Sequence, residues 1–240
     1  MAALAPWAPS AADWLAARIE GRTLLQQTMA DSLMSLVGSY LAVGEPLIGG
    51  EPTIRATAFA PSKRSKESVP RMYPICRVTS ANPSRWLSPG DEGFARSPEF
   101  SCGEVFVGKC WESAREIYSG EIHAQSDYPG SDQDRHASWE AQWRTWGANS
   151  TLHWSSHMRH VRSVWAFPVP SAVPRASDPD SYEPFAIVSV DSTRPRDFES
   201  PEPLDGSALR MNLREAVAGA IAGAVHVGLG RVKPAVFPLS

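Results

Sequence analysis

Two pairs of apolar runs constrain the fold most. Residues 53–60 (TIRATAFA) and 71–79 (RMYPICRVT) are rich in β-branched and aromatic side chains, and a polar turn separates them. Residues 162–169 (RSVWAFPV) and 184–191 (PFAIVSVD) repeat the arrangement around a loop heavy in Pro, Asp and Ser. Each run has the composition of a strand and each connection that of a hairpin loop. Hairpin-like pairs predict a largely antiparallel sheet.

Helical patterns surround these pairs. Ser10 and Asp13 suit a helix start, and Trp14, Ile19, Leu25, Met29, Leu33 and Val37 continue an apolar stripe to about Tyr40. Residues 81–102 are rich in Pro, Ser and Gly and read as irregular. A short helix is expected at 107–114 and a short strand at 116–118. An acidic loop spans 125–135, and 136–160 reads as one helix or a broken pair. The connection 171–183 reads as a hairpin loop. Asp205 or Ser207 caps a last helix reaching about Leu229. The expected fold is α+β, an α/β/α sandwich. Its parts are an N-terminal helical segment (1–50), one domain with its closing helix (51–230) and a tail (231–240).

Charge and cysteine content narrow the function classes. With 23 Lys and Arg against 26 Asp and Glu the net charge is −3, which does not suit bulk attraction to nucleic acid. Lys63, Arg64 and Lys66 read as a solvated loop tip. Cys76, Cys102 and Cys110 are too few and unevenly placed for a disulfide scaffold, and no CxxC or zinc-finger spacing occurs. Residues 1–10 lack a basic leader, so the cytoplasm is the expected compartment. The uncharged run 216–230 spans roughly 22 Å as a helix, short of a ~30 Å bilayer core. It reads as a packing helix, with no membrane span expected.

Three local patterns resemble one family. Gly103-Glu-Val-Phe-Val-Gly108-Lys-Cys-Trp111 resembles the glycine turn and helix of GAF domains. Residues 162–169 resemble that family's RSVLAVPI strand. Residues 184–192 followed by Phe198 resemble its PIGVLSLDS…F segment, and together the three patterns cover about 53–230. Gly103 and Gly108 suit a tight turn and a close backbone approach.

The resemblance implies an antiparallel sheet with the N- and C-terminal helices on one face and a small-molecule pocket on the other. It also implies a homodimer formed through the terminal helices. Small residues at Ala216, Gly219, Ala220, Gly223 and Ala224 suit that contact. With no output domain in the sequence, a signalling role would act through a partner protein. The family's cyclic-nucleotide signature and a chromophore-binding Cys-His pair are not recognised, so neither the ligand nor any cofactor is identified.

Candidate site residues follow. Phe106, Trp111, His123, Trp154 and Trp165 are expected to line the pocket, with Arg162 as an anion anchor. Alternation on 162–169 sends Ser163, Trp165 and Phe167 one way and Val164 and Ala166 the other. The sequence does not say which set faces a ligand. Trp139, Trp143 and Trp146 form a helical stripe that suits the core or an aromatic pocket wall. His153, His157 and His160 would share one helical face, but no acidic or Cys ligand is near, so no metal site is expected. No hydrolase, kinase or dinucleotide motif occurs, and no catalytic residue is assigned.

Two further functions remain open. One is a free methionine-(R)-sulfoxide reductase of the same family. Members place a Cys immediately before the second motif glycine, where this chain has Val107. The other is a structural dimerisation module whose pocket is filled by tryptophan.

Overall fold

The structure is a computed structural model. It describes residues 54–62, 71–88, 99–148, 156–175 and 178–195, the single positions 91 and 94, and most of 23–38. The closing helix, its dimer contact, the tail, His153 and Trp154 lie outside the described residues, as do the start of the first helix and the loop 63–70.

Among the described residues six strands form one sheet: β1 Ile54–Ser62, β2 Arg71–Thr79, β3 Asn82–Leu87, β4 Ile117–Ser119, β5 Ser163–Arg175 and β6 Asp178–Ser192. Their order is β3-β2-β1-β6-β5-β4, and every pairing is antiparallel. Helical positions between 23 and 38 belong to α1. The other α-helices among the described residues are α2 Val105–Ser113 and α3 Asp132–Thr145.

The sheet register sorts side chains into two cores. Cys76, Ala58, Val188 and Phe167 pair in a row across β2, β1, β6 and β5, as do Val78, Ala56, Val190 and Trp165. Both rows pack against Met29, Ala30, Leu33 and Val37 of α1. The opposite face holds Phe59, Val164, Ala166 and Ile187 under Val105, Phe106 and Val107 of α2 and Trp139 and Trp143 of α3. The fold is therefore α+β with helices on both sheet faces, as expected. At the irregularity beside Phe59 in β1, the Ile75 carbonyl of β2 accepts a hydrogen bond from Gln26 Nε2 of α1 at 2.8 Å.

Several elements differ from the sequence reading. Residues 81–102 are not wholly irregular: β3 pairs with the end of β2, and Phe100 forms a bridge with Met72. Pro83 fits because β3 is an edge strand. The expected loop 171–183 instead continues β5 and β6, and register shifts near Pro170 and Pro174 absorb the prolines. Helix α3 starts at Asp132, earlier than expected. The Ser131 hydroxyl accepts from Asp134 N at 3.3 Å, and Asp134 Oδ2 accepts from Ser131 N at 3.0 Å, a reciprocal cap. Residues 156–160 form a 3-10 turn, so His157 and His160 do not lie on an α-helix.

Candidate functional site

The glycine turn positions the site. Gly103 adopts φ +77°, and its N–H donates to Gly108 O at 3.0 Å. A Cβ on Gly108 would lie 2.1 Å from the Ser101 carbonyl oxygen. Only glycine lets the helix press this closely on its own leading turn. The turn is held again by Glu104, whose carboxylate accepts from Ser101 N at 2.8 Å. Val105 follows at φ +54°, unusual for a β-branched residue. Its N–H donates to Trp146 O at 2.9 Å, which ties the start of α2 to the end of α3.

Beneath the three residues Val105–Val107 is a partly enclosed cleft of about 30 Å³. That is room for about two water molecules. Phe59, Phe100, Val105, Phe106, Val107, Trp143, Met158 and Val164 make its apolar walls, and Arg55, Thr57, Arg77, Ser189 and Asp191 its polar floor. Phe106 stacks at a tilt on Trp146, with ring centroids 5.0 Å apart, and meets Trp143 edge-on at 6.0 Å.

The floor follows from strand alternation. Arg77, Thr57 and Ser189 pair across β2, β1 and β6, and Arg55 pairs with Asp191 and Asp191 with Val164. Arg55, Thr57, Arg77 and Ser189 each lie between apolar neighbours of the core against α1, and Asp191 follows one, Val190. Arg55, Arg77 and Asp191 are only 6%, 5% and 4% exposed. Asp191 Oδ2 accepts from Arg55 Nε at 3.0 Å and lies 2.9 Å from Nη2, a buried ion pair. Arg55 Nη2 also reaches Met158 Sδ at 2.8 Å. Arg77 Nε donates to Thr57 Oγ1 at 3.2 Å, and its guanidinium lies 5.2 Å from the Phe94 ring centre. Burial, with the Arg55 charge beside it, pushes Arg77 down to about 9, partly opposed by Asp191. It remains a cation at neutral pH.

Of the six residues expected to line the pocket, Phe106 does. Trp111 is buried in the same core but is not part of the lining. Trp165 faces the other way: it lies in the core against α1, and its Nε1 donates to Glu116 Oε1 at 2.6 Å. Val164, its neighbour in the alternation, faces the cleft. His123 is exposed; its ring meets Tyr128, and its backbone exchanges hydrogen bonds with the Gln142 amide. Arg162 pairs with Asp127 of the loop before α3 and does not line the cleft. The tryptophan stripe serves both expected uses, since Trp139 and Trp143 are buried and Trp143 also walls the cleft.

The sequence reading missed the five floor residues. Polar side chains alternating with small apolar ones in 54–58 (IRATA) and 188–191 (VSVD) were the available signal.

The thiols stand apart from the cleft. Val107 lines it, and none of the three cysteines does. Burial pushes Cys76 up to about 12 and, with a smaller contribution from Glu116, Cys110 up to about 12. Cys102 is exposed. Among the described residues no three His, Cys, Asp or Glu side chains gather to hold a metal. No helix among them is long and apolar enough to cross a membrane.

No family model and no curated protein matches the chain. Similar solved structures include GAF domains. The GAF domain of an Acinetobacter phosphoenolpyruvate-protein phosphotransferase is 13% identical, with 89% of this chain and 97% of that one covered and a TM-score of 0.41. A type II free methionine-R-sulfoxide reductase from Thermoplasma acidophilum is 8% identical, with 83% and 95% covered and a TM-score of 0.41. The Neisseria meningitidis free methionine-R-sulfoxide reductase, solved with its substrate, is 12% identical, with 97% and 100% covered and a TM-score of 0.38.

Proposed function

We propose that this chain is a GAF-type domain that recognises a small molecule in the cleft between its sheet and the α2–α3 layer. One observation carries this reading: the sheet face under α2 holds two buried arginines, a buried aspartate and two hydroxyl residues around a space. Charged groups desolvated in a core cost several kcal/mol each, about what their ion pair returns, so stability alone gives little reason to keep them. Apolar walls with a few convergent polar groups are the usual make-up of a ligand site. The three sequence patterns of the family and the two helical layers agree with it. Phe106, Trp143, Arg55, Arg77 and Thr57 are the proposed contacts. Occupancy would be passed to a partner protein through a dimer built on the terminal helices.

A thermal-shift screen of metabolites tests the reading. A ligand at a hundredfold excess over its Kd should stabilise the protein by about 2.7 kcal/mol. Val164→Leu, which adds a carbon to the cleft wall, should abolish that gain. No stabilising metabolite, or one whose effect survives Val164→Leu, would refute a ligand site here. Light scattering at micromolar concentration tests the dimer: a monomer counts against it, and Gly223→Leu should shift a dimer toward monomer.

A further inference from the structure

Among the residues lining the cleft, Met158 carries the one sulfur. It stands on the 3-10 turn Ser156–His160 and is 6% exposed, with its Sδ 2.8 Å from Arg55 Nη2. Met72, in the same core, and Met29, in the core against α1, are fully buried and line no part of the cleft. We propose that the cleft is a reaction site for hydrogen peroxide, which enters it and oxidises Met158 to the sulfoxide. This rests on the reading of the cleft as a space that small molecules enter, and goes beyond it by giving that space a reaction.

Size selects the oxidant. The space holds about two waters, and hydrogen peroxide is two bonded oxygens with their hydrogens, so it fits without displacing a wall. A bulkier hydroperoxide does not fit. The hydroxyls of Thr57 and Ser189 on the floor can each donate or accept a hydrogen bond, as a peroxide requires.

The step balances. A lone pair of Met158 Sδ attacks one peroxide oxygen, an S–O bond forms and the O–O bond breaks. Sulfur is oxidised and the peroxide reduced. The proton of the transferred oxygen passes to the departing oxygen, which leaves as water. Negative charge grows on that departing oxygen, and the lining carries two cations against one anion, in a site shielded from water where such charge is stabilised most. The product is favoured too. A thioether is a weak acceptor, so the Arg55 N–H that now meets sulfur bonds more strongly once an oxygen stands on it. No further guanidinium donor is required. Sulfoxide formation is reversible by dedicated reductases, so the oxygen can be added and removed.

Peptide mass spectrometry on the full chain tests this. One tube holds the protein, free N-acetylmethionine and hydrogen peroxide; a second replaces hydrogen peroxide with tert-butyl hydroperoxide. A side chain that only becomes exposed as the protein opens can at most match the free standard. Met158 should outpace the standard about threefold with hydrogen peroxide and lag behind it with tert-butyl hydroperoxide. Any other order overturns the proposal, as does oxidation of Met29 or Met72 as fast as that of Met158. Val164→Leu, which narrows the cleft, should drop Met158 below the standard with hydrogen peroxide, and a lead that survives overturns the cleft as the place of reaction. If Val164→Leu does not fold, the bulky peroxide alone carries that test. The metabolite screen uses no peroxide, so a stabilising metabolite beside an unreactive Met158 overturns this inference and leaves the pocket standing. A reactive Met158 with no stabilising metabolite does the reverse.

Discussion

Gly108→Ala should be among the most damaging single-methyl additions to this protein. The new Cβ would stand 2.1 Å from the Ser101 carbonyl oxygen and 3.3 Å from the backbone of Gly103. Contacts under about 3 Å essentially do not occur, so helix and turn must part by roughly 1 Å. Both obstacles are backbone, so no rotamer relieves them. The displacement strains the Gly103 N–H to Gly108 O bond at 3.0 Å and the Glu104 N–H to Ser101 O bond at 3.1 Å. Overpacking costs about 1–3 kcal/mol, and each hydrogen bond lost costs about 1 kcal/mol. Alanine's better helix propensity returns about 1 kcal/mol. The net expectation is a loss of about 2–4 kcal/mol, a fall in Tm of roughly 4–16 °C for a chain of this size. Urea unfolding followed by tryptophan fluorescence measures it. Gly38→Ala in α1 is the control, because nothing lies within 4 Å of its added Cβ. A Gly108→Ala loss below about 0.5 kcal/mol would refute the claim that this glycine exists for close approach.

Three more outcomes can be checked on the same material. Asp191→Ala should destabilise by about 3–5 kcal/mol in urea unfolding, since it strands the buried Arg55 charge; a loss under 1 kcal/mol would mean the pair is hydrated. Ala114 closes α2 at φ +50°, so Ala114→Gly should gain about 0.5–1 kcal/mol, and a loss would show that its methyl packs. Because burial raises the Cys76 thiol to about 12, unfolding releases its proton between its ordinary value near 9 and 12, and stability falls with rising pH there. Cys76→Ala should make that slope shallower by about 1.4 kcal/mol per pH unit, and an unchanged slope would show that Cys76 is not the source.

Where sequence reasoning succeeded, the local signal was one-sided. β2 occupies the expected residues 71–79, because the apolar run and its flanking turns coincide there. α2 begins two residues before the expected start, since Gly103 marks the turn but Val105 already takes the first helical place. Proline misled in two places for one reason: Pro83, Pro170 and Pro174 break a central strand but are tolerated on an edge or at a bulge, and edge position is a tertiary fact. Which face of β5 looks into the cleft is not legible in 162–169 alone, because both of its faces are apolar: Val164 and Ala166 on one, Trp165 and Phe167 on the other. The answer lay in the neighbouring strands, where Arg55, Thr57, Ser189 and Asp191 mark the polar face, but only pairing registers join them to Val164.

The polar floor also bears on how the sheet finds its alignment. Side chains alternate with a period of two, so sliding β1 by one residue against β2 and β6 would exchange its faces. Arg55 and Thr57 would then enter the dry layer under Met29, Leu33 and Val37, and Ala56 and Ala58 would face the cleft. Burying a guanidinium there without its aspartate costs several kcal/mol, more than most strand misalignments can recover. An all-alanine β1 would pay no such penalty and would have several near-equal registers. The residues proposed to hold a ligand thus also exclude misaligned sheets, and substitutions that empty the cleft of charge should leave a chain slower to settle on one native arrangement.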